Sequence, residues 1–262
     1  MKNKDYWNQR AKKNKNSIIS TTNFELIKEF EIAILKYVIK KYTKSKHLKI
    51  LELGCGNGIN LVNINKLHPH FKLYGIDYSH EMIKYAKKKN KNINFFLGDV
   101  SKKETYMNLP KFDIIFTNRC LINLKSEKKI NDVINNSKNF LKKGGYYIFL
   151  ENFINGHSNK NKLRIMLNLK PRKIAKFNKF IDMTKFSKFL KKNFKIYENI
   201  NYSSLNDLFL YVLSPKNSTD INYNSPIQKK LILLLIKYLE KNNSFLKLNQ
   251  NTGQNNLIVC KK

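Results

Sequence analysis

Residues 49–58, KILELGCGNG, run an apolar segment straight into three glycines at alternate positions. The apolar part has strand length, and the glycines cut it off in a tight turn, so the segment reads as a buried strand. Helical periodicity follows at once, over 58–67. The unit then repeats. Strands are expected at 73–76, 93–97, 112–117 and 146–150. Helices are expected at 79–89, capped by Ser79, and at 126–141, stopped at Gly144-Gly145. Alternation at this spacing requires right-handed crossovers and so a parallel, doubly wound α/β sheet.

The flanking segments are less regular. Residues 1–47 read as amphipathic helix, with Phe24, Ile27, Phe30, Ile34, Tyr37 and Val38 near helical spacing. Residues 155–194 read as helical and strongly basic. A sixth strand is expected at 194–200 and an antiparallel last one at 256–260, with helices at 205–213 and 227–239. The expected organisation is an N-terminal helical segment (1–47) over the ligand site, a core (48–151), a helical insertion acting as a lid (152–195), and a C-terminal part that completes a sheet of about seven strands (196–262).

The chain has 262 residues and a net charge of +33, which ordinarily points to nucleic acid. Its 51 basic residues include only four arginines, however, and it has 38 asparagines. A/T-rich codons account for much of that excess, and nucleic-acid readers favour the planar arginine fork. Nucleic acid is therefore not the favoured partner. The charge is still uneven. Residues 160–195 carry 13 basic residues against one acid, whereas 48–150 carry 18 against 8. No run approaches the ~18 apolar residues of a membrane span, and no apolar signal region follows the N-terminal lysines, so a cytoplasmic location is expected. Cys55, Cys120 and Cys260 lie far apart in apolar surroundings and read as buried thiols. No metal site is expected.

The glycine turn permits close backbone approach to a ligand, and Asp77, nineteen residues past Gly58, ends the second strand, where an acid can take ribose hydroxyls. The dinucleotide pattern G-x-G-x-x-G is not met, because position 59 is Ile. Glu52, just before the turn, would repel a pyrophosphate but suits a cationic amino group. These charges favour S-adenosylmethionine over a nicotinamide cofactor.

ELGCGNG, YGIDYS, FFLGDV, FDIIFTNRCLINL and LKKGGYYIF, in this order and spacing, resemble the successive motifs of class I, Rossmann-like methyltransferases. The resemblance spans about residues 48–151. It implies S-adenosylmethionine as cofactor, with Gly54, Gly56 and Gly58 shaping the turn under the methionine moiety and Glu52 holding its amino end. It further implies that Asp77 takes the ribose, that Tyr78 and Met82 flank the adenine, and that Asp99 accepts the adenine amine beside Val100. Asn118 would stand by the reacting methyl.

Acceptor residues must come from the carboxyl ends of the strands. Arg119, Asn123 and Asn152 are the expected acceptor contacts, and Glu151 and His157 the candidate general bases, needed for a hydroxyl acceptor but not for an amine. Glu151 also reads as a structural acid, and His157 as a loop residue. Position 117–120 reads TNRC, without the Asn/Asp-Pro-Pro-Tyr signature of many nucleic-acid methyltransferases, and Cys120 has no preceding proline. The expected acceptor is a small, anionic molecule, most readily a sugar or glycan precursor methylated on oxygen or nitrogen. RNA or protein is the runner-up, and a non-catalytic cofactor-binding subunit a third reading. The insertion's Leu163, Ile165, Met166, Leu167, Leu169, Phe177, Phe180, Phe186 and Phe189 are expected to pack above the site, over one face of the sheet, or in a homodimer contact.

Overall fold

The computed structural model describes residues 3–22, 24–214, 223, 225–246 and 251–262. Among these, the strands are β1 (Lys49–Leu53), β2 (Lys72–Asp77), β3 (Asn94–Leu97), β4 (Phe112–Asn118), β5 (Leu141–Asn152), β6 (Lys195–Asn201) and β7 (Asn255–Lys261). They form one sheet in the order β3-β2-β1-β4-β5-β7-β6. β1 to β5 are parallel, β7 runs antiparallel to β5, and β6 antiparallel to β7. This is the expected doubly wound α/β sheet with antiparallel closing strands. The strand order turns back at β1, between β2 and β4. That is the switch point at which open α/β sheets leave a crevice beyond their carboxyl ends.

Side-chain alternation along the strands divides the core. Ile50, Leu73, Ile114, Ile148 and Leu257 face one side. There they meet α2 (Glu25–Tyr42), α3 (Ile59–Leu67), α4 (His80–Lys89) and, near the end of the chain, a helix at Pro226–Asn242. Leu51, Ile115, Tyr147, Phe149 and Ile258 face the other side, against α5 (Glu127–Lys138) and a later helix at Met183–Asn193. Each fully buried aliphatic side chain here stabilises the fold by roughly 1.5–3 kcal/mol. Ahead of these lies α1 (Asn3–Asn14), and between β5 and β6 lies α6 (Ile154–Met166), which makes Met183–Asn193 α7. Ser204–Leu208 is α8, and Pro226–Asn242 is α9.

Three local expectations are corrected, and one of the packing alternatives is met. The helix expected to reach residue 141 stops at Lys138, and Gly144-Gly145 lies inside β5, where Gly144 has φ +76° and the β4–β5 register shifts. Residues 167–182 are not helical. Asn168 turns left-handed (φ +55°) after α6, and Pro171 denies the next turn a donor and restricts its neighbour. The second half of the insertion is an ordinary crossover helix: Phe186 and Leu190 of α7 pack on Phe149 and Tyr147. Ile165, Met166 and Leu167 do not pack inward as expected but are more than half exposed. All three cysteines are buried and free. No helix among the described residues is long and apolar enough to cross a membrane.

Candidate ligand-binding cavity

The turn after β1 is built from residues that only glycine can supply. Gly54 has φ +71° and Gly56 φ +54°, a region that side chains disfavour. A Cβ on Gly54 would lie 2.5 Å from Cys120 Sγ, and one on Gly56 2.7 Å from the Thr21 methyl. The turn is tied to β2 through the Gly54 and Cys55 N–H groups, which both donate to Ile76 O. It opens into a cavity of about 660 Å³, in the range of small-molecule clefts.

One wall continues from β2. Asp77 accepts N–H bonds from Gly56 (2.9 Å) and Ser79 (2.8 Å) and is 7% exposed. Burial pushes its carboxyl up to about 6, and the backbone donors hold it from going further. Ser79 caps α4 by accepting from Met82 N. Tyr78 and Met82 line the cavity, and the Tyr78 hydroxyl has no hydrogen-bond partner among the described residues. Asp99 and Val100, beyond β3, complete this wall, with Asp99 Oδ1 held by the Ser101 amide and hydroxyl.

The opposite wall is an ionic cluster. Glu31, fully buried on α2, lies 2.8 Å from Lys28 Nζ and 3.1 Å from Arg119 Nε, and also accepts from the Asn118 amide at 3.1 Å. Burial alone would push the Glu31 carboxyl up, but Arg119 and Lys28 together hold it below its usual range. Burial draws the Lys28 ammonium down. Two cations share one carboxylate, so the cluster presents surplus positive charge to the cavity. Arg119 is strained to make this contact, with φ +52°. Sequence reading missed Lys28 and Glu31, because only tertiary packing sets α2 beside the end of β4.

Farther in, the cavity is lined by Asn152, His157, Arg172, Asp207, Tyr211, Gln254 and Asn255. Asn152 and Asn255 face each other in register across β5 and β7, each about 95% buried. Their Oδ1 atoms, like that of Asn118, have no hydrogen-bond partner among the described residues. His157 Nε2 lies 3.0 Å from Arg172 O, and burial together with nearby Lys160 lowers its pKa. Over the top, Tyr6 of α1 stacks on Phe177 at 4.3 Å, Trp7 Nε1 donates to Asn123 Oδ1, and Asn3 bonds to the carbonyls of Asn123 and Phe177.

The structure thus brings Gly54, Gly56, Asp77, Tyr78, Met82, Asp99, Val100, Asn118, Arg119, Asn123, Asn152 and His157 to the lining of one cavity. Three expected site residues stand elsewhere. Gly58 backs onto the Phe95 ring. Glu52 lies one layer behind the turn, accepting from Asn60 Nδ2 at 2.5 Å, and burial pushes its carboxyl up to about 8. Glu151 is fully buried, off the cavity wall, and accepts the N–H groups of Cys120, Leu121 and Ile122.

A family model described as a methyltransferase domain matches residues 44–202. The malonyl-[acyl-carrier protein] O-methyltransferase 2 of Ilyobacter polytropus is 36% identical over 103 residues, 38% of each chain. The ribosomal RNA small subunit methyltransferase C of Buchnera aphidicola is 32% identical over 162 residues, 52% of this chain and 47% of that one. The chain thus spans about half or less of these relatives' lengths. Among solved structures, the N-methyltransferase NodS of Bradyrhizobium japonicum, in complex with S-adenosyl-L-homocysteine, superposes with a TM-score of 0.58 at 13% identity, covering 100% of this chain and 99% of that one. A methyltransferase of Archaeoglobus fulgidus gives 0.57 at 17% identity, over 89% and 94%. At such identities the structural likeness speaks to the fold alone.

Proposed function

The chain belongs to the methyltransferase domain family, and from that premise we propose that it transfers a methyl group from S-adenosylmethionine to a small-molecule acceptor held at the roofed end of the cavity. The observation that carries this is the single cavity running from Gly54, Asp77 and Asp99 to Asn152, His157 and Arg172.

The residues present fit the cofactor. Gly54 and Gly56 turn with positive φ at the cavity lining, where bare backbone can come close to a ligand. Asp77 and Asp99 offer carboxylates to ribose hydroxyls and an adenine amine, beside Tyr78, Met82 and Val100. The surplus cation of the Lys28–Glu31–Arg119 cluster suits a carboxylate, and the unpartnered Oδ1 of Asn118 suits an amino group. When bound, the cofactor supplies a methyl group on a sulfonium leaving group. The chain then needs chiefly to orient the acceptor and exclude water. Tyr6, Trp7 and Phe177 do the second, and the asparagines at the β4, β5 and β7 ends do the first. His157 is the imidazole on the wall, and it would take the proton should the acceptor be a hydroxyl.

Within this reading the acceptor is anionic, of the sugar or glycan-precursor kind, methylated on oxygen or nitrogen. Support comes from the carboxamide-rich inner wall and from Arg172 and Lys173 at its edge. The relatives named for malonyl-[acyl-carrier protein] are consistent with an acidic acceptor. RNA is the runner-up, resting on the relative named for ribosomal RNA and the +33 charge. Calorimetry with S-adenosylhomocysteine tests the central claim. Saturable binding is expected, weakened by about 1.5–3 kcal/mol in Asp77→Ala, where a charge-assisted contact is lost. No binding at millimolar ligand sinks it. Tight RNA binding with a steep salt dependence would move the acceptor to the runner-up.

A further inference from the structure

We propose that the acceptor carries a carboxylate, and that Arg172, stacked on Tyr211, is the specificity residue that reads it. The proposal rests on the methyltransferase reading of the same cavity and names its substrate class.

The first observation is how Arg172 is held. It sits in the non-helical stretch after Pro171, yet its backbone is fixed to α6 at three points. Asn161 Oδ1 accepts from Arg172 N at 2.9 Å, Asn161 Nδ2 donates to Arg172 O at 3.0 Å, and His157 Nε2 lies 3.0 Å from that same carbonyl. An exposed loop arginine needs no such fixing, whereas one that must present its guanidinium in one place does.

The second is the charge balance around it. The Arg172 guanidinium lies 4.4 Å from the Tyr211 ring centroid, and Lys160 Nζ lies 4.2 Å from the same ring. Lys160 is fully buried and accounted for: Asp207 Oδ2 is at 3.2 Å and Gln254 Oε1 at 2.8 Å. Asp207 is accounted for in turn, taking Gln254 N on one oxygen and Asn206 Nδ2 on the other. That removes the one acid of this end of the cavity as a partner. Arg172 has no carboxylate partner among the described residues. The contact with the Tyr211 ring uses none of the guanidinium N–H donors, which match a carboxylate edge to edge.

The third is the asparagine pair on the same inner lining. The paired Asn152 and Asn255 carboxamides, nine-tenths buried with unpartnered Oδ1 atoms, accept hydrogen bonds from hydroxyl or amino groups. A molecule with an anion at one end and hydroxyls or an amine along its length suits both the arginine and the asparagines. Tyr211 itself lies in a π-helical turn, Phe209–Leu213, a distortion frequent at functional sites.

The probes are D-glucuronate, its neutral isostere D-glucuronamide, and glucose 6-phosphate, titrated by calorimetry into the full chain with and without saturating S-adenosylhomocysteine. Glucuronate is expected to bind about tenfold more tightly than the amide. Arg172→Gln should abolish that preference, Arg172→Lys should keep part of it, and Lys162→Gln, an exposed change on α6, should leave it whole. Affinity for S-adenosylhomocysteine should be the same in all variants. Equal binding of acid and amide, an undiminished preference in Arg172→Gln, or an equal loss in Lys162→Gln overturns the proposal. Tighter binding of the phosphate than of the carboxylate overturns the choice of anion. If S-adenosylhomocysteine does not bind but the Arg172-dependent preference persists, the carboxylate site stands and the methyltransferase reading falls.

Discussion

Asp77 Oδ2 accepts the Gly56 N–H at 2.9 Å, so the acid that ends β2 and the middle glycine of the β1 turn hold each other in place without any ligand. Burial sets this carboxyl at about 6, against an ordinary value of 3.8. Two opposite pH dependences follow. Below about pH 6 the carboxyl takes up a proton and stops accepting from hydroxyls, so affinity for S-adenosylhomocysteine should fall by up to about tenfold per pH unit. Folding runs the other way. The folded pKa lies above the unfolded one, so the native state holds more protons between 3.8 and about 6, and this group's contribution to stability declines as pH rises through that window. Asp77→Asn should flatten both curves. An unchanged affinity slope in that variant would show that another group titrates.

Glu31→Gln should be among the most damaging single changes outside the apolar core. The carboxylate serves Lys28, Arg119 and Asn118 at once with no exposure of its own. Its loss leaves a buried ammonium and a mostly buried guanidinium side by side. Breaking such a pair costs about 3–5 kcal/mol. Pairing the change with Lys28→Met should recover part of the loss, because it removes the more deeply buried of the two charges. Urea midpoints of the single and double variants measure this. A single variant as stable as the wild type would refute the coupling.

The first half of this site was legible in the sequence because it is local. Gly54, Gly56, Asp77 and Asp99 each lie at the carboxyl end of a strand or within three residues of it, and strand spacing carries them to one edge. Asn118 and Asn152 were legible for the same reason. Lys28, Tyr211 and Asn255 were not, since they reach the cavity from elements that adjoin it only after folding. Asn255 left one signal: an antiparallel last strand must begin at the edge where the parallel strands end. Glu151 stayed ambiguous because a strand-end acid looks the same in sequence whether it faces the cavity or the backbone of the next loop. Residues 167–182 read as helix from their basic residues interspersed with apolar ones, although Pro171 breaks that pattern.

Glu151→Gln separates a positioning role from a catalytic one. The carboxylate accepts from Cys120 and Leu121 at 3.0 Å and fixes the loop that carries Arg119 and Asn123 to the cavity. Glutamine keeps one acceptor oxygen and turns the other into a donor facing an N–H. A stability loss of about 1–3 kcal/mol is therefore expected. Activity should fall by a uniform factor, with the shape of its pH profile retained. Burial places this carboxyl at about 7, so a general base here would give the profile a limb near that pH. Disappearance of such a limb in the variant would restore Glu151 to the chemistry.

The roof should be separable from the core. Tyr6 and Phe177 stack with 4.3 Å between ring centroids and 26° between their planes, and Trp7 meets both edge-on. None of the three is fully buried, so no core packing depends on them. Their contact joins α1 to the 172–180 stretch above the cavity, assisted by the Asn3 bonds to Asn123 O and Phe177 O. Phe177→Ala removes both aromatic pairs, each contributing about 0.5–1.5 kcal/mol beyond area burial. Asn8, which accepts from Ser79 Oγ at 2.7 Å, still moors the middle of α1 to the head of α4. The helix should therefore open from its first turns rather than detach. Amide exchange at residue 7, the first N–H of α1 with an acceptor inside the helix, should quicken by about tenfold, while residues 8–14 change less and the thermal midpoint of the whole chain stays within a few degrees. Cofactor and acceptor affinities should both weaken, since water then reaches both ends of the cavity. Uniform acceleration along α1, or none, would mean that Ser79 and Asn8 alone keep the roof closed.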